Sequence, residues 1–361
     1  MNHTGKTYII AEAGVNHNGS LEIAKDLIDV AVQCGADAIK FQTFRTENLV
    51  SKDARKADYQ KKNTEADESQ FDMIKKLELD ENAHHELIQH CRVRGIQFLS
   101  TPFDLDSLRL LTSHFELPYV KIASGEITNA PFLLEVARMG KAVILSTGMS
   151  TLGEIEMALG ILAFGYIGKE KQPRMEEFQE AYSSIEGRRL LQQRVSLLHC
   201  TTEYPAPFSE VNLKAMDTLR SAFGLPVGFS DHTPGIAISI GAVARGARII
   251  EKHFTLDSNL PGPDHKASLE PEELKKMIEA IRQIEAALGY SYKIPAPSEI
   301  KNKAVARKSL VVSQAIKKGE KFTKENLTTK RPGTGLSPMY YWEFLGKIAK
   351  QDYAQDERVD L

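Results

Sequence analysis

Two histidines in this sequence stand where imidazoles can share a metal ion. His232 closes the run PVGFSDH (226–232), and His253 lies near the end of IIEKHFT (249–255). Both runs are short and apolar with β-branched residues, as strands are, and parallel neighbours in a sheet lie about 4.8 Å apart. Two nitrogen ligands without a thiolate leave positions open to water or a substrate oxygen, which is the arrangement of a catalytic metal site. Asp231 and Glu251 stand beside them as possible orienting partners. Lys40 and Lys121 form a second signal, because lysine inside a strand is costly unless it meets an anion or forms a Schiff base. Ser124, Ser146 and Ser230 sit in the small-residue segments ASGE, LSTG and FSDH, where a hydroxyl can donate to phosphate or carboxylate oxygens. Two ammonium groups with three hydroxyls suit a small dianion, and a Schiff-base pyruvate aldolase using Lys121 is the alternative chemistry. Glu12 and Glu126 are candidate acid/base groups at strand ends, and Asp264 in LPGPDHKAS adds a carboxylate in the loop after the last strand. Glu126 can equally cap the helix that follows ITNAP.

These residues need a frame that gathers strand ends, and the sequence carries one. The runs YIIAEAG (8–14), AIKFQTF (38–44), IQFLSTP (96–102), YVKIASG (119–125), AVILSTG (142–148) and VSLLHCT (195–201) precede the two histidine runs, making eight. Amphipathic stretches such as SLEIAKDLIDVAVQC (20–34) and EPEELKKMIEAIRQIEAAL (270–288) lie between and after them. Alternating strands and helices imply parallel βαβ units, and eight such units in about 250 residues is the size of a (β/α)8 TIM barrel. Each run begins apolar and ends polar, which places chemistry around a barrel mouth rather than at the single switch point of an open sheet. Residues 45–79 form a long charged loop after the second strand that is expected to cover the site. Residues 166–194 read as a solvated helical insertion. We expect the barrel to span 1–288, a linker 289–303, and a small β-rich domain 304–361 punctuated by glycine and proline.

Composition removes several function classes. The 361 residues carry a net charge of −2, so no electrostatic case exists for a nucleic-acid or membrane-surface partner. Three dispersed cysteines offer neither a disulfide framework nor a thiolate metal cage. With no signal-type N-terminus and no apolar run of bilayer length, a cytoplasmic location is the expectation.

The ordered motifs AEAGVNHNG (11–19), KFQTF (40–44), LSTPFD (99–104), KIASGE (121–126) and LSTGM (145–149) resemble the sialic acid synthase family. So do LLHCTTEYPAP (197–207), GFSDHT (228–233), EKHFT (251–255), GPDH (262–265) and KRPGTG (330–335). KADYQ (56–60), DHKASLEP (264–271) and ARKSL (306–310) resemble the bacterial branch that makes N-acetylneuraminic or legionaminic acid. The resemblance implies a transferase that condenses phosphoenolpyruvate with an N-acylated mannosamine-type sugar and releases phosphate. It implies His232 and His253 as ligands of a divalent metal, manganese first and magnesium or cobalt as alternatives. Lys40, Thr101, Lys121, Ser124, Ser146 and Ser230 would hold phosphoenolpyruvate, while Gln42, Thr202, Tyr204 and Asp264 would face the sugar, with Glu12 and Glu126 handling protons. The C-terminal domain resembles the antifreeze-like (SAF, β-clip) module, whose Arg331 would reach the sugar's N-acyl group across a homodimer with exchanged C-terminal domains. Thr202 stands where some members carry asparagine, which bears on the choice of sugar. A binding-only role for the module, toward ice or a partner protein, is disfavoured by its many lysines (Lys317, Lys318, Lys321, Lys324, Lys330).

Overall fold

The computed structural model describes residues 5–52, 54, 56, 68–168 and 171–360. Each of the eight apolar runs is a strand: β1 (Tyr8–Gly14), β2 (Ala38–Thr43), β3 (Gln97–Pro102), β4 (Tyr119–Ile122), β5 (Ala142–Ser146), β6 (Val195–Cys200), β7 (Val227–Asp231) and β8 (Ile249–His253). Their ladder runs β3-β2-β1-β8-β7-β6-β5-β4, and its recorded pairs are parallel. β3 and β4 pack together at the seam, so the sheet closes on itself as a nearly complete (β/α)8 barrel.

Alternation along the strands sorts the side chains. Ile10, Ala38, Leu99, Ile144, Leu198 and Ile249 form one buried cluster with Tyr8 and Tyr119, filling the lumen. Intervening residues such as Ile9, Ile39, Phe41, Val143, Leu197 and Ile250 join the larger core with the surrounding helices. One helix shows how that outer layer is specified. Leu21–Cys34 is capped at its start by Ser20, which accepts from Ile23 N–H, and ended by Gly35 at φ 83°. Its buried face is Ala24, Leu27, Ile28 and Ala31, at the spacing of one helical stripe. The lumen is tight enough to dictate a glycine. A Cβ on Gly228 would lie 2.5 Å from Ile249 O and 2.7 Å from Leu198 Cδ2.

The chain divides into two compact units, residues 1–289 and 290–361. The second unit holds an antiparallel pair, β9 (Ser309–Val312) with β10 (Leu327–Lys330), and single bridges such as Val311–Arg358 and Ile316–Tyr353. Leu310, Val312, Phe322, Phe344, Tyr353 and Val359 give it a core of its own. Two expectations need correction. The stretch read as a linker, 289–303, runs into the helix Pro297–Ala306, which has proline in its first turn and buries no residue, so no apolar stripe announced it. The insertion at 166–194 is not a solvated excursion throughout. Its helix Met175–Ser183 buries Phe178 against Phe164 of the helix Leu152–Ile167, their rings 5.3 Å apart and edge to face. Among the described residues no helix is long and apolar enough to cross a membrane.

Candidate active site

The strand ends enclose a cavity of about 380 Å³, within the range of small-molecule sites. Every barrel residue singled out from the sequence lines it except Glu126 and Asp231. Its floor is built from inward-facing residues one step above the apolar lumen, where the alternation that supplies Ile10, Ala38 and Ile249 next supplies Glu12, Lys40 and Glu251. Regular register pairs Glu12 with both Lys40 and His253, and β1 slips against β2 only beyond it, between Glu12 and Gly14.

Four buried charges interlock on this floor. Lys40 Nζ lies 2.5 Å from Glu12 Oε2 and 3.6 Å from Glu251 Oε2, and Lys121 Nζ lies 3.4 Å from Glu251 Oε1. Lys40 also donates to Thr101 Oγ1 at 3.0 Å, and Ser230 Oγ donates to Glu251 Oε1 at 2.8 Å. The two carboxyls are driven apart. Burial raises Glu12 to about 7 despite the neighbouring Lys40, whereas at Glu251 the pull of Lys121, Lys40 and Ser230 outweighs burial and holds the group at about 2. Glu251 is thus the fixed anion and Glu12 the carboxyl able to carry a proton. Burial lowers Lys121, with Glu251 opposing, while Glu12 and Glu251 outweigh burial at Lys40 and raise it. Asp264 is pushed up to about 6 by burial alone.

The histidines face the same cavity. His232 Nδ1 donates to Thr201 O at 2.6 Å, which leaves Nε2 as the lone pair. The His232 and His253 rings are 5.8 Å apart, and the Tyr204 ring packs 4.2 Å from that of His232. Burial holds His232 down at about 4 and His253 well below its ordinary value, so both are neutral, the form that ligates metals. His253 Nδ1 is buried without a hydrogen-bond partner. Among the described residues no group of three or more His, Cys, Asp or Glu is assembled for a metal, so an ion here would have two imidazoles and otherwise water or substrate.

Hydroxyls and a thiol complete the floor. Ser124 Oγ accepts from Gly148 N–H at 3.0 Å and lies 3.2 Å from Cys200 Sγ. Gly148 is required here, since a Cβ would sit 2.3 Å from Thr202 Oγ1 and 2.8 Å from Ser124 Oγ. The opposite wall is apolar. Phe44, Leu49, Met73, Ile74 and Leu77, from the excursion after β2, line it with Phe103; KADYQ reaches beyond the described residues, with Lys56 alone of it included.

Glu126 is one of the two exceptions. It lies outside the lining, and its Oε2 accepts from Asn129 Nδ2 at 2.7 Å, next to the N-cap of the helix Ala130–Arg138. The chain turns into the short 3-10 segment Ser124–Glu126 directly after β4, which carries the carboxylate away from the mouth. Arg331 belongs to the other unit, where it is exposed and has no side-chain partner among the described residues. Glu251, by sequence a possible histidine partner, is the hub of the floor. Its position two residues before His253 was the available signal, because alternation puts both on one face. Cys200 escaped notice because a lone cysteine carries no pattern.

Comparison with known proteins agrees with this geometry. The NeuB family model matches residues 27–293, and the SAF domain model matches 307–359. This chain belongs to the NeuB family. It is 55% identical to the N,N'-diacetyllegionaminic acid synthase of Campylobacter jejuni over 98% of this chain and 99% of that protein. It is 44% identical to the Legionella pneumophila protein of the same name, over 92% and 87% of the two chains. Among solved structures, N-acetylneuraminic acid synthetase of Leptospira borgpetersenii in complex with citrate matches with a TM-score of 0.66 at 33% identity, covering 82% of this chain and 90% of that one.

The interlocked charges generate a stability prediction. Glu251→Ala leaves Lys121 without its carboxylate while Lys40 keeps Glu12, and leaving a buried charge uncompensated costs about 3–5 kcal/mol. Ser230→Ala removes only a hydrogen bond to a charged group, worth about 1.5–3 kcal/mol. Urea unfolding of the two variants should rank them in that order, and equal midpoints would refute Glu251 as the hub.

Proposed function

We propose that this NeuB-family chain is a nonulosonic acid synthase that condenses phosphoenolpyruvate with 2,4-diacetamido-2,4,6-trideoxymannose, giving N,N'-diacetyllegionaminate and phosphate. One observation carries the reading: a dianion cradle of two lysines and several hydroxyls shares its cavity with a pair of neutral imidazoles. Lys40 and Lys121 neutralise phosphate and carboxylate, Ser124, Ser146 and Thr101 donate to their oxygens, and Ser230 would join them by turning its one proton from Glu251. His232 Nε2 and the His253 ring would hold the divalent metal, manganese first, and His253's orphaned nitrogen and the neutrality of both rings fit that role. When bound, the metal supplies Lewis acidity at the aldehyde oxygen.

The remaining steps belong to the chain's own residues. The cradle orients C3 of phosphoenolpyruvate toward the aldehyde carbon, and a C–C bond forms as positive charge develops at C2. Water adds at C2, and Glu12 moves its proton toward the former aldehyde oxygen. The C2–O bond to phosphate then breaks as the remaining C2 hydroxyl proton passes to the departing phosphate, leaving the 2-keto acid. Gln42, Thr202, Tyr204 and Asp264 face the sugar. Two supports favour the 6-deoxy sugar over N-acetylmannosamine, namely the two relatives that bear the legionaminic name and the apolar wall of Phe44, Met73, Ile74 and Leu77. A methyl group gains from such a wall where a hydroxyl would lose its water.

The assay follows directly. Purified protein should consume phosphoenolpyruvate and the 2,4-diacetamido sugar, lose turnover to a chelator, and regain it with manganese. The kcat/KM advantage over N-acetylmannosamine should be at least about 10-fold, the lower end of what one apolar-pocket group supplies, since the sugars differ at C4 as well as at C6. The lowered Lys121 also suits a Schiff-base aldolase, and borohydride trapping of pyruvate on a chelator-insensitive enzyme would replace the synthase reading with that one.

The substrates should be separable by mutation. Lys121→Ala removes a charge-assisted contact of about 1.5–3 kcal/mol, so the phosphoenolpyruvate KM should rise about 10–100-fold while the sugar KM moves less. Arg331→Ala should do the reverse, since a guanidinium suits an amide carbonyl. If Arg331 of one subunit serves the barrel of another, mixing Arg331→Ala with Glu12→Ala should restore partial activity. Movement of only the sugar KM in Lys121→Ala, or no recovery despite proven subunit exchange, would contradict these assignments.

A further inference from the structure

Behind the two histidines lies a polar group that the proposed chemistry leaves unused. Asp231 and Lys252 alternate along β7 and β8 with the cavity-lining Ser230, His232, Glu251 and His253, and neither lines the cavity. Their side chains have no solvent exposure, their Cα positions are paired across the two strands, and Lys252 Nζ lies 3.1 Å from Asp231 Oδ2. The contacts converge on the backbone around His232. Thr233 N–H and Thr233 Oγ1 donate to Asp231 Oδ1 at 2.8 and 2.7 Å, closing a turn with His232 at its centre. Ser239 Oγ, on the helix Ala237–Ala244, donates to Asp231 Oδ2 at 2.6 Å. Lys252 also donates to Thr233 O. The residue just before His253 therefore grips the residues on both sides of His232.

We propose that the buried Asp231–Lys252 pair is a clamp that sets the separation of His232 and His253 and thereby the affinity of the metal site. The proposal rests on the metal reading above. Both are positioning residues, acting through the backbone that carries the ligands. Two observations give the clamp its importance. No third protein ligand is assembled with the pair among the described residues, so ring separation alone must define the protein's share of the coordination shell. Stability is a weak reason for such a pair, because replacing a buried ion pair by uncharged groups of similar volume is often neutral or stabilising.

The test is manganese binding to the metal-free full chain, read from the electron paramagnetic resonance of free Mn(II), beside thermal melting and steady-state rates. In the parent, binding should be lost on His232→Ala; unchanged binding there would overturn the metal reading and the clamp with it. Asp231→Asn/Lys252→Met removes both charges at similar volume and lets asparagine keep the turn. It should melt near the parent and bind Mn(II) 10–100-fold more weakly, the range seen when groups supporting metal ligands are removed. Its rate should recover toward the parent kcat at high manganese, a shift in metal half-saturation that a purely structural role would not produce. Lys252→Arg keeps the charge but replaces a compact ammonium with a planar fork, and decides alone if the double variant does not fold. It should stay folded and weaken Mn(II) binding at least threefold. Parent-like Mn(II) affinity in whichever of the two variants folds would overturn the clamp.

Discussion

Everything at the barrel mouth depends on keeping Glu12, Lys40, Lys121 and Glu251 charged or proton-sharing without water. Moving a single ion out of water costs several kcal/mol even after relaxation. The barrel meets this by pairing: each lysine touches a carboxylate, Ser230 donates to a Glu251 lone pair, and Thr101 accepts from the Lys40 ammonium. That arrangement requires the strand register to be right to one residue, since a slip would turn all four groups onto the apolar outer face. The tight lumen around Gly228 and the unbroken pairing of Glu12 with Lys40 and His253 are where the backbone meets this demand. An anion entering such a floor finds cations already desolvated and oriented, so little reorganisation remains for the reaction itself.

The site divides its labour between two kinds of structure. Strand ends supply the charged floor and the histidines, and strands are rigid enough to hold ionised groups at fixed distances. The described parts of the excursion after β2 supply an apolar wall, which forms a small cluster of its own with Val15, Phe44 and Leu77 at its centre. In the proposed reaction the first is common to any sugar partner, because it meets phosphoenolpyruvate. The second meets the part of the sugar that differs between candidates. Selectivity then resides in a loop that can vary while the chemistry stays in the barrel.

Much of this was legible in the sequence because a barrel translates alternation into geometry. A polar residue two positions past an apolar lumen residue must face the mouth, which is why Lys40, Lys121, Ser230, His232 and His253 could be gathered from spacing. The same rule would have promoted Glu251. It could not rescue Glu126, because the strand ends at Ile122 and a short turn, with no fixed period, aims the side chain elsewhere. The helix Pro297–Ala306 was illegible for a different reason: it buries nothing, so no stripe marks it. The packed insertion was misjudged because its charged residues outnumber the few, Phe178 among them, that face inward. Arg331 lies in the second unit, and its role was read from motif resemblance alone.

The central claim is that one cavity holds a phosphoenolpyruvate-sized dianion against a metal on two histidines. Anomalous diffraction from crystals grown with manganese and phosphoenolpyruvate tests it most directly. The account predicts a manganese peak between His232 Nε2 and the His253 ring, with the phosphate and carboxylate in the cradle of Lys40, Lys121, Ser124, Ser146 and Ser230. A well-ordered phosphoenolpyruvate bound elsewhere, or linked covalently through its pyruvyl carbon to Lys121 with no manganese at the histidines, would contradict it.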